Sequence, residues 1–302
     1  PAARGTAARE AAVSRLPGTG LLLVTALAAT LGAAVLFVPA AAFNAAGKAG
    51  AEGARAMLAR DLARAEEAYL RATRLNPFSG SFAADLAQVY TAIGAWTNDR
   101  SYMEKAERYA RRALRAEPDN PKVRSALAAV YLIQDRMADS VAQAEALVEI
   151  NPLDVTAYEA LGRAYILAAR YHLGRTEPSP ARAYLDKALA LPGRMEAKKA
   201  SLNPRATRFW AGPRLEVTPG LNLVLGQARY LQGDYAAAID LLKRGPASGP
   251  YRQEATLWLA AALERAGKGE EAARIKDKLF KENPALGEEY GRITGLPAVP
   301  PG

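Results

Sequence analysis

Prolines that close successive helical runs leave a chain few choices of fold. Here "LRATRLNP" ends at Pro77, "RRALRAEP" at Pro118, "AEALVEINP" at Pro152 and "KDKLFKENP" at Pro284. Proline cannot continue a helix, and it disfavours helical geometry in the residue before it, so each of these marks a helix stop. The segments between them are rich in Ala, Leu, Glu and Arg, with apolar residues three and four apart, the spacing of amphipathic helices. The punctuation predicts an all-α chain.

The helical segments also share a register. "LGQARYLQGDYAAAIDLL" runs from Leu225 to Leu242 and places Gly226, Gly233, Tyr235 and Ala238 in order. The unit from 121 to 154 places Leu127, Ala128, Tyr131, Ser140 and Pro152 at matching positions, and a later one places Leu259, Ala260, Gly267, Ala272 and Pro284. "DLAQVYTAIG" adds Leu86, Ala87, Tyr90 and Gly94, and "ALGRAYILAA" adds Leu161, Gly162 and Tyr165. A degenerate first unit, at about 46 to 79, keeps Ala65, Tyr69, Ala72 and Pro77. The pattern resembles the tetratricopeptide repeat, a helix–turn–helix family of period 34: a small residue where two helices cross closely, Gly at the turn, an aromatic after it, Ala on the second helix and a closing Pro. Six such units fit, over roughly 46 to 192 and 219 to 286.

The resemblance implies a right-handed superhelix of stacked helix pairs that binds proteins on the concave face formed by its first helices. Projected onto that face are Leu132, Ile133, Glu159, Arg163, Ile166, Leu167, Leu223, Gln227, Tyr230 and Leu231. The Lys and Asn positions by which some family members clamp a C-terminal carboxylate hold Ala84, Gln88 and Ser125 instead. The implied occupant is an apolar segment, either a partner's helix or this chain's own tail "GLPAVPPG".

Three departures interrupt the register. Tyr90 to Ala106 and Tyr165 to Ala181 each span sixteen residues, where the family spacing is nine. The additions, "AWTNDRSYM" and "RYHLGRTEPSP", fit either extra helical turns or longer loops, and are expected to protrude from one edge of the array. They offer Trp96, Tyr102 and Tyr171 for partner contact. The third departure is a basic stretch, 193 to 218, expected to be irregular, with six basic residues against two acidic. Its Arg205, Arg208, Phe209 and Trp210 suit a partner subunit or a membrane surface. Nucleic acid is not expected as a partner, because no recognised binding module accompanies the stretch.

Chemistry is constrained from the other side. The chain has no cysteine and one histidine, which excludes disulfides, thiolate metal sites and thiol catalysis, and leaves His172 as an expected loop residue. No phosphate-binding loop or metal-ligand spacing appears, so neither enzyme activity nor a cofactor is expected. The formal charge is +9.

The N-terminal region carries a different signal. Residues 21–43, within "GLLLVTALAATLGAAVLFVPAAAF", are uncharged. As a helix they would run about 35 Å, enough for a hydrocarbon core of about 30 Å. Signal-peptide apolar regions are shorter, about 7 to 15 residues, although Ala40 to Ala42 offers a cleavage-like Ala-x-Ala. A retained single-pass anchor is expected, with Thr25, Ala28, Ala29, Gly32 and Ala33 as a small-residue face for other transmembrane subunits.

The expected organisation is a tail at 1–19, a transmembrane helix at 20–43, repeats one to four at 44–192, the basic insertion at 193–218, repeats five and six at 219–286, and a cap with a Pro-rich tail at 287–302. The expected function is a membrane-anchored scaffold docking other subunits of a membrane complex, for example a respiratory or photosynthetic one. Its place would be the bacterial inner membrane, with the array in the periplasm. A free-standing periplasmic assembly chaperone, or an adaptor binding RNA or anionic lipid through 193–218, are the alternatives.

Overall fold

The computed structural model describes residues 40–202 and 215–299. Among the described residues there is no strand; the chain is a succession of α-helices. A first helix, α1, occupies 40–58. It is followed by α2 (Leu62–Leu75), α3 (Gly80–Thr97), α4 (Arg100–Ala116), α5 (Pro121–Ile133), α6 (Met137–Ile150), α7 (Val155–Gly174), α8 (Pro178–Leu189) and α9 (Leu191–Ala200). Beyond residue 214 come α10 (Pro219–Leu231), α11 (Tyr235–Leu242), α12 (Arg252–Arg265), α13 (Gly269–Glu282) and α14 (Leu286–Thr294). Consecutive helices from α2 to α8 pack on one another, and α10 packs back onto α7 and α8, so the array continues across the intervening segment.

The helices begin where a short polar side chain can take up orphan N–H groups. Asp61, Ser79, Asp99, Asn120, Asp154, Thr218 and Asp234 each stand at an N-cap and accept a backbone N–H of the first turn. The second helices end alike. Asn76, Glu117, Asn151 and Asn283, each preceding proline, leave helical geometry at φ of −132°, −138°, −130° and −149°. Each still donates its N–H to the carbonyl four residues back.

The turns inside each pair are built on a left-handed residue. Arg60, Asn98, Asp135, Thr176, Gly233 and Gly267 all have φ between 54° and 83°. In five of the six, the next N–H reaches back five residues to the first helix: Asp61 to Ala56, Arg136 to Tyr131, Glu177 to His172, Asp234 to Arg229 and Lys268 to Leu263. This is the Schellman closure. Gly233 and Gly267 take it without Cβ strain, whereas Arg60, Asp135 and Thr176 adopt it against their own preference. Gly94, read from the sequence at the turn position, instead lies inside α3. A Cβ there would fall 2.5 Å from the Met103 Cε of α4, so the glycine serves close helix approach and Asn98 makes the turn.

Both sixteen-residue spans resolve into helix rather than loop. α5 ends two residues after Tyr131, while α7 runs nine residues past Tyr165, which places His172 in the last turn of α7 and not in a loop. Its ring stacks on Tyr184 at 5.8 Å, and its Nδ1 lies 2.6 Å from Glu177 Oε2. In the second pair the addition is shared between α3 and α4. The segment expected to be irregular from 193 begins as helix: Leu191 and Met195, four apart, are buried in the core and hold α9 against it.

Tyr69, Tyr90, Tyr131 and Tyr165, and with them Tyr230 of α10, are all buried between helices. Burial first, and then the nearby Asp85 charge, push the Tyr69 hydroxyl up to about 12. Glu117 ties two repeats together: Oε1 accepts the N–H groups of Gly80 (2.6 Å) and Ser81 (3.3 Å) at the start of α3, and Oε2 accepts from the Ser81 hydroxyl and from Asn120. Partial burial works to raise its pKa, but donation from Asn120, Gly80 and Ser81 outweighs it and holds the carboxyl below the ordinary range.

Residues 20–39 of the expected transmembrane segment lie outside the described residues. Among the described residues no helix is long and apolar enough to cross a membrane.

The packing and the Glu117 contacts set the stability of three variants. Gly226→Ala places a methyl 2.6 Å from Leu242 Cγ and 3.3 Å from its backbone nitrogen, and should cost about 1 to 3 kcal/mol in chemical unfolding. Gly291→Ala, inside α14 with nothing within 4 Å, should stabilise by about 0.5 to 1 kcal/mol. Glu117→Gln should cost about 1 kcal/mol at pH 7. Because the folded pKa is depressed, wild-type advantage is complete above the unfolded carboxylate value of about 4.3 and disappears as pH falls through the lower folded value. Unfolding curves of both proteins between pH 3 and 7 would check it.

Candidate docking surface

The first helices α5, α7 and α10 carry the residues projected onto the concave face, but the array treats them unequally. Ile166, Leu223, Gln227, Tyr230 and Leu231 are each 3% exposed or less. Ile166 and Leu223 belong to the core cluster, Gln227 Nε2 donates to Glu254 Oε1 at 2.7 Å, and the Tyr230 ring meets Trp258 edge-on at 5.3 Å. The Leu231 carbonyl accepts the N–H of Val299 at 2.8 Å, and Val299 is itself buried. The chain's own C-terminal residues therefore cover α10 at this point.

Glu159 and Arg163 are half-buried and engaged. Glu159 accepts from the Thr218 hydroxyl at the start of α10, and Arg163 lies 4.5 Å over the Tyr251 ring. Register alone shows neither the Thr218 cap nor the returning tail.

Leu132, Ile133 and Leu167 remain accessible, Ile133 and Leu167 at 47% and 38%. Two clefts meet at Leu132. The first, about 800 Å³, lies between the α3–α4 turn and the α5–α6 turn, with Gly94, Met103, Leu132 and Ile133 on its apolar side. The second, about 420 Å³, runs from Leu132 and Met137 past Leu167 and Tyr171 to Leu296 of the C-terminal segment. Trp96, beside Ala95 of the first cleft, is 84% exposed. Tyr102 packs inward against Tyr90, ring centres 6.0 Å apart, with Lys105 over its face.

Ion pairs fix the walls. Arg136 sits between Glu107 at 2.9 Å and Asp139 at 2.5 Å, and Arg170 reaches Glu289 of α14 at 2.6 Å. Burial raises the Glu107 pKa, but hydrogen bonds from Arg136 and Gln134, with Arg111 nearby, bring it below the ordinary range. No group of three or more metal-ligating side chains is present among the described residues. Arg205, Arg208, Phe209 and Trp210, and likewise Thr25, Ala28, Ala29, Gly32 and Ala33, lie outside the described residues.

No family model matches the sequence, and no curated protein matches it. Solved structures do match. The structure of pilF from Pseudomonas aeruginosa is 16% identical, covers 83% of this chain and 98% of its own, and superposes with a TM-score of 0.52. PilW, a widely conserved type IV pilus biogenesis factor, is also 16% identical, covering 82% and 97% with a TM-score of 0.52. The fold is tetratricopeptide-like. At these identities the likeness is one of architecture alone.

The exposures separate surface from support. Ile133→Asp and Leu167→Asp should leave the unfolding midpoint nearly unchanged, within about 0.5 kcal/mol, whereas Ile166→Asp, one residue from Leu167, should cost on the order of 4 kcal/mol. Urea unfolding of the three variants would distinguish them.

Proposed function

We propose that this chain is a scaffold that docks other protein subunits along the paired clefts, held at a membrane by residues 20–43 and serving as an accessory or assembly subunit of a larger membrane complex. The observation that carries the reading is the apolar surface that lines the paired clefts: Ile133 and Leu167 exposed around a half-buried Leu132, with Trp96 at the edge. Exposed aromatic and aliphatic side chains grouped around a concavity supply the apolar anchor of protein interfaces. The uncharged 23-residue stretch supports the anchor, and the small-residue face Ala28, Ala29, Gly32 and Ala33 supports membrane-embedded partners. Placement of the array in the bacterial periplasm belongs to the same reading.

The mechanism needs no chemistry from the array. Rigid stacking holds the clefts in one shape, so little ordering entropy remains to be lost when a partner binds. Anchoring in the bilayer confines the search for membrane partners.

The test is affinity isolation of the tagged full chain from solubilised membranes, beside Ile133→Asp and Trp96→Ala. Co-purification of fixed partners at constant stoichiometry, lost at least tenfold in Ile133→Asp, is expected. Equal recovery with the variant folded would contradict docking at the clefts, and recovery of the full chain in the soluble fraction would contradict the anchor.

A further inference from the structure

The cleft between the α3–α4 and α5–α6 turns carries a charge opposite to that of the chain. The whole protein is +9, yet the cleft is lined by four carboxylates, Asp99, Glu104, Glu107 and Asp135, against two guanidiniums, Arg100 and Arg136. The two arginines do not cancel the excess evenly. Arg136 is shared between Glu107 and Asp139, Arg111 from outside the lining also pairs with Glu107 at 2.7 Å, and Arg100 only brushes Glu104 at 3.5 Å, both side chains being mostly exposed; with Arg111 and Asp139 counted, five carboxylates still face three guanidiniums. Asp135 forms no ion pair among the described residues. At the α14 end of the adjoining cleft the balance reverses, with Arg170 and Arg292 facing the single carboxylate of Glu289. Between the two ends lie Ile133, Leu132 and Leu167.

We infer that the occupant of this surface is an apolar segment of another protein that presents lysine or arginine side chains to the α3–α4 end and a carboxylate to the α14 end. The inference rests on the docking reading above and adds the partner's chemistry and its direction. Complementary charge at a half-buried rim fixes register and rejects wrong partners more than it adds affinity, and its effect weakens as salt screens it. Four carboxylates around the apolar floor disfavour an anionic headgroup or a nucleic-acid backbone there. The chain's own tail is a poor occupant for the same end: Val299 is held at Leu231, and "GLPAVPPG" has no cation.

Two fluorescein-labelled peptides of alanine and leucine test it, one with two lysines at its N-terminal end and a glutamate at the other, the second with these charges exchanged. Binding to the detergent-solubilised full chain is followed by anisotropy at low and high salt, with protein-free micelles as the blank. The lysine peptide should bind at least about tenfold more tightly at low salt, and the preference should fall below about threefold in the double variant Glu104→Gln, Asp135→Asn or at high salt. Equal binding or the reverse preference, with both peptides still lost in Ile133→Asp, would overturn the charge assignment and leave docking intact. Failure of both peptides to bind, or binding untouched by Ile133→Asp, would overturn the docking reading itself. Self-association of the chain abolished by Ile133→Asp would put a second copy in the cleft and also overturn the proposal.

Discussion

A single left-handed residue in each helix–turn–helix is the constraint on which the rest of the structure depends. At Arg60, Asp135, Thr176, Gly233 and Gly267 the chain leaves a first helix through the same five-residue hydrogen bond and re-enters a second helix antiparallel to it. The residue before proline then ends the second helix at Asn76, Glu117, Asn151 and Asn283 with nearly the same backbone angles. With both turns fixed, successive pairs stack in the same sense, and a buried tyrosine stands at the same register position in α3, α5 and α7: Tyr90, Tyr131 and Tyr165. Contacts such as Lys122 of α5 to Asp85 of α3, 2.7 Å apart, pass between neighbouring repeats, so order is transmitted along the array.

The open surface arises where this regularity is broken. Extra helical turns carry α3 to Thr97 and α7 to Gly174, beyond the level at which α5 stops, leaving a recess at Leu132 and Ile133 with walls on both sides. α14 and the residues after it close the far side through Arg170–Glu289 and Val299–Leu231. The same tail removes α10 from the accessible face. Of the residues projected onto the concave face, the apolar ones that stay accessible are thereby those of the middle repeats, Leu132, Ile133 and Leu167.

Much of the architecture was legible because its signals are steric. A pre-proline residue cannot easily be helical, and apolar residues at three- and four-residue spacing have to be buried, so the helices and their stops could be placed from Asn-Pro and periodicity alone. The turns were less legible. Only Gly233 and Gly267 announce a left-handed residue; Arg60, Asp135 and Thr176 are held there by the closure around them, and Gly94 serves close packing instead. The site was half legible. Ile133, Leu167 and Trp96 are exposed and Leu132 is half-buried, whereas Ile166, Leu223, Tyr230 and Leu231 are buried by contacts distant in sequence. Met103, Asp135 and Leu296 line the clefts with no local signal to mark them, because only the stacking brings them together.

The central claim is that partners dock where α3, α5 and α7 leave the clefts open. Hydrogen–deuterium exchange of the full chain, alone and within the complex isolated from membranes, tests it most directly. Added protection should fall on 94–104 and 132–137, with 235–242 of α11 unchanged. Protection confined to α11 and α13, with the cleft segments exchanging as they do in the isolated chain, would contradict the account.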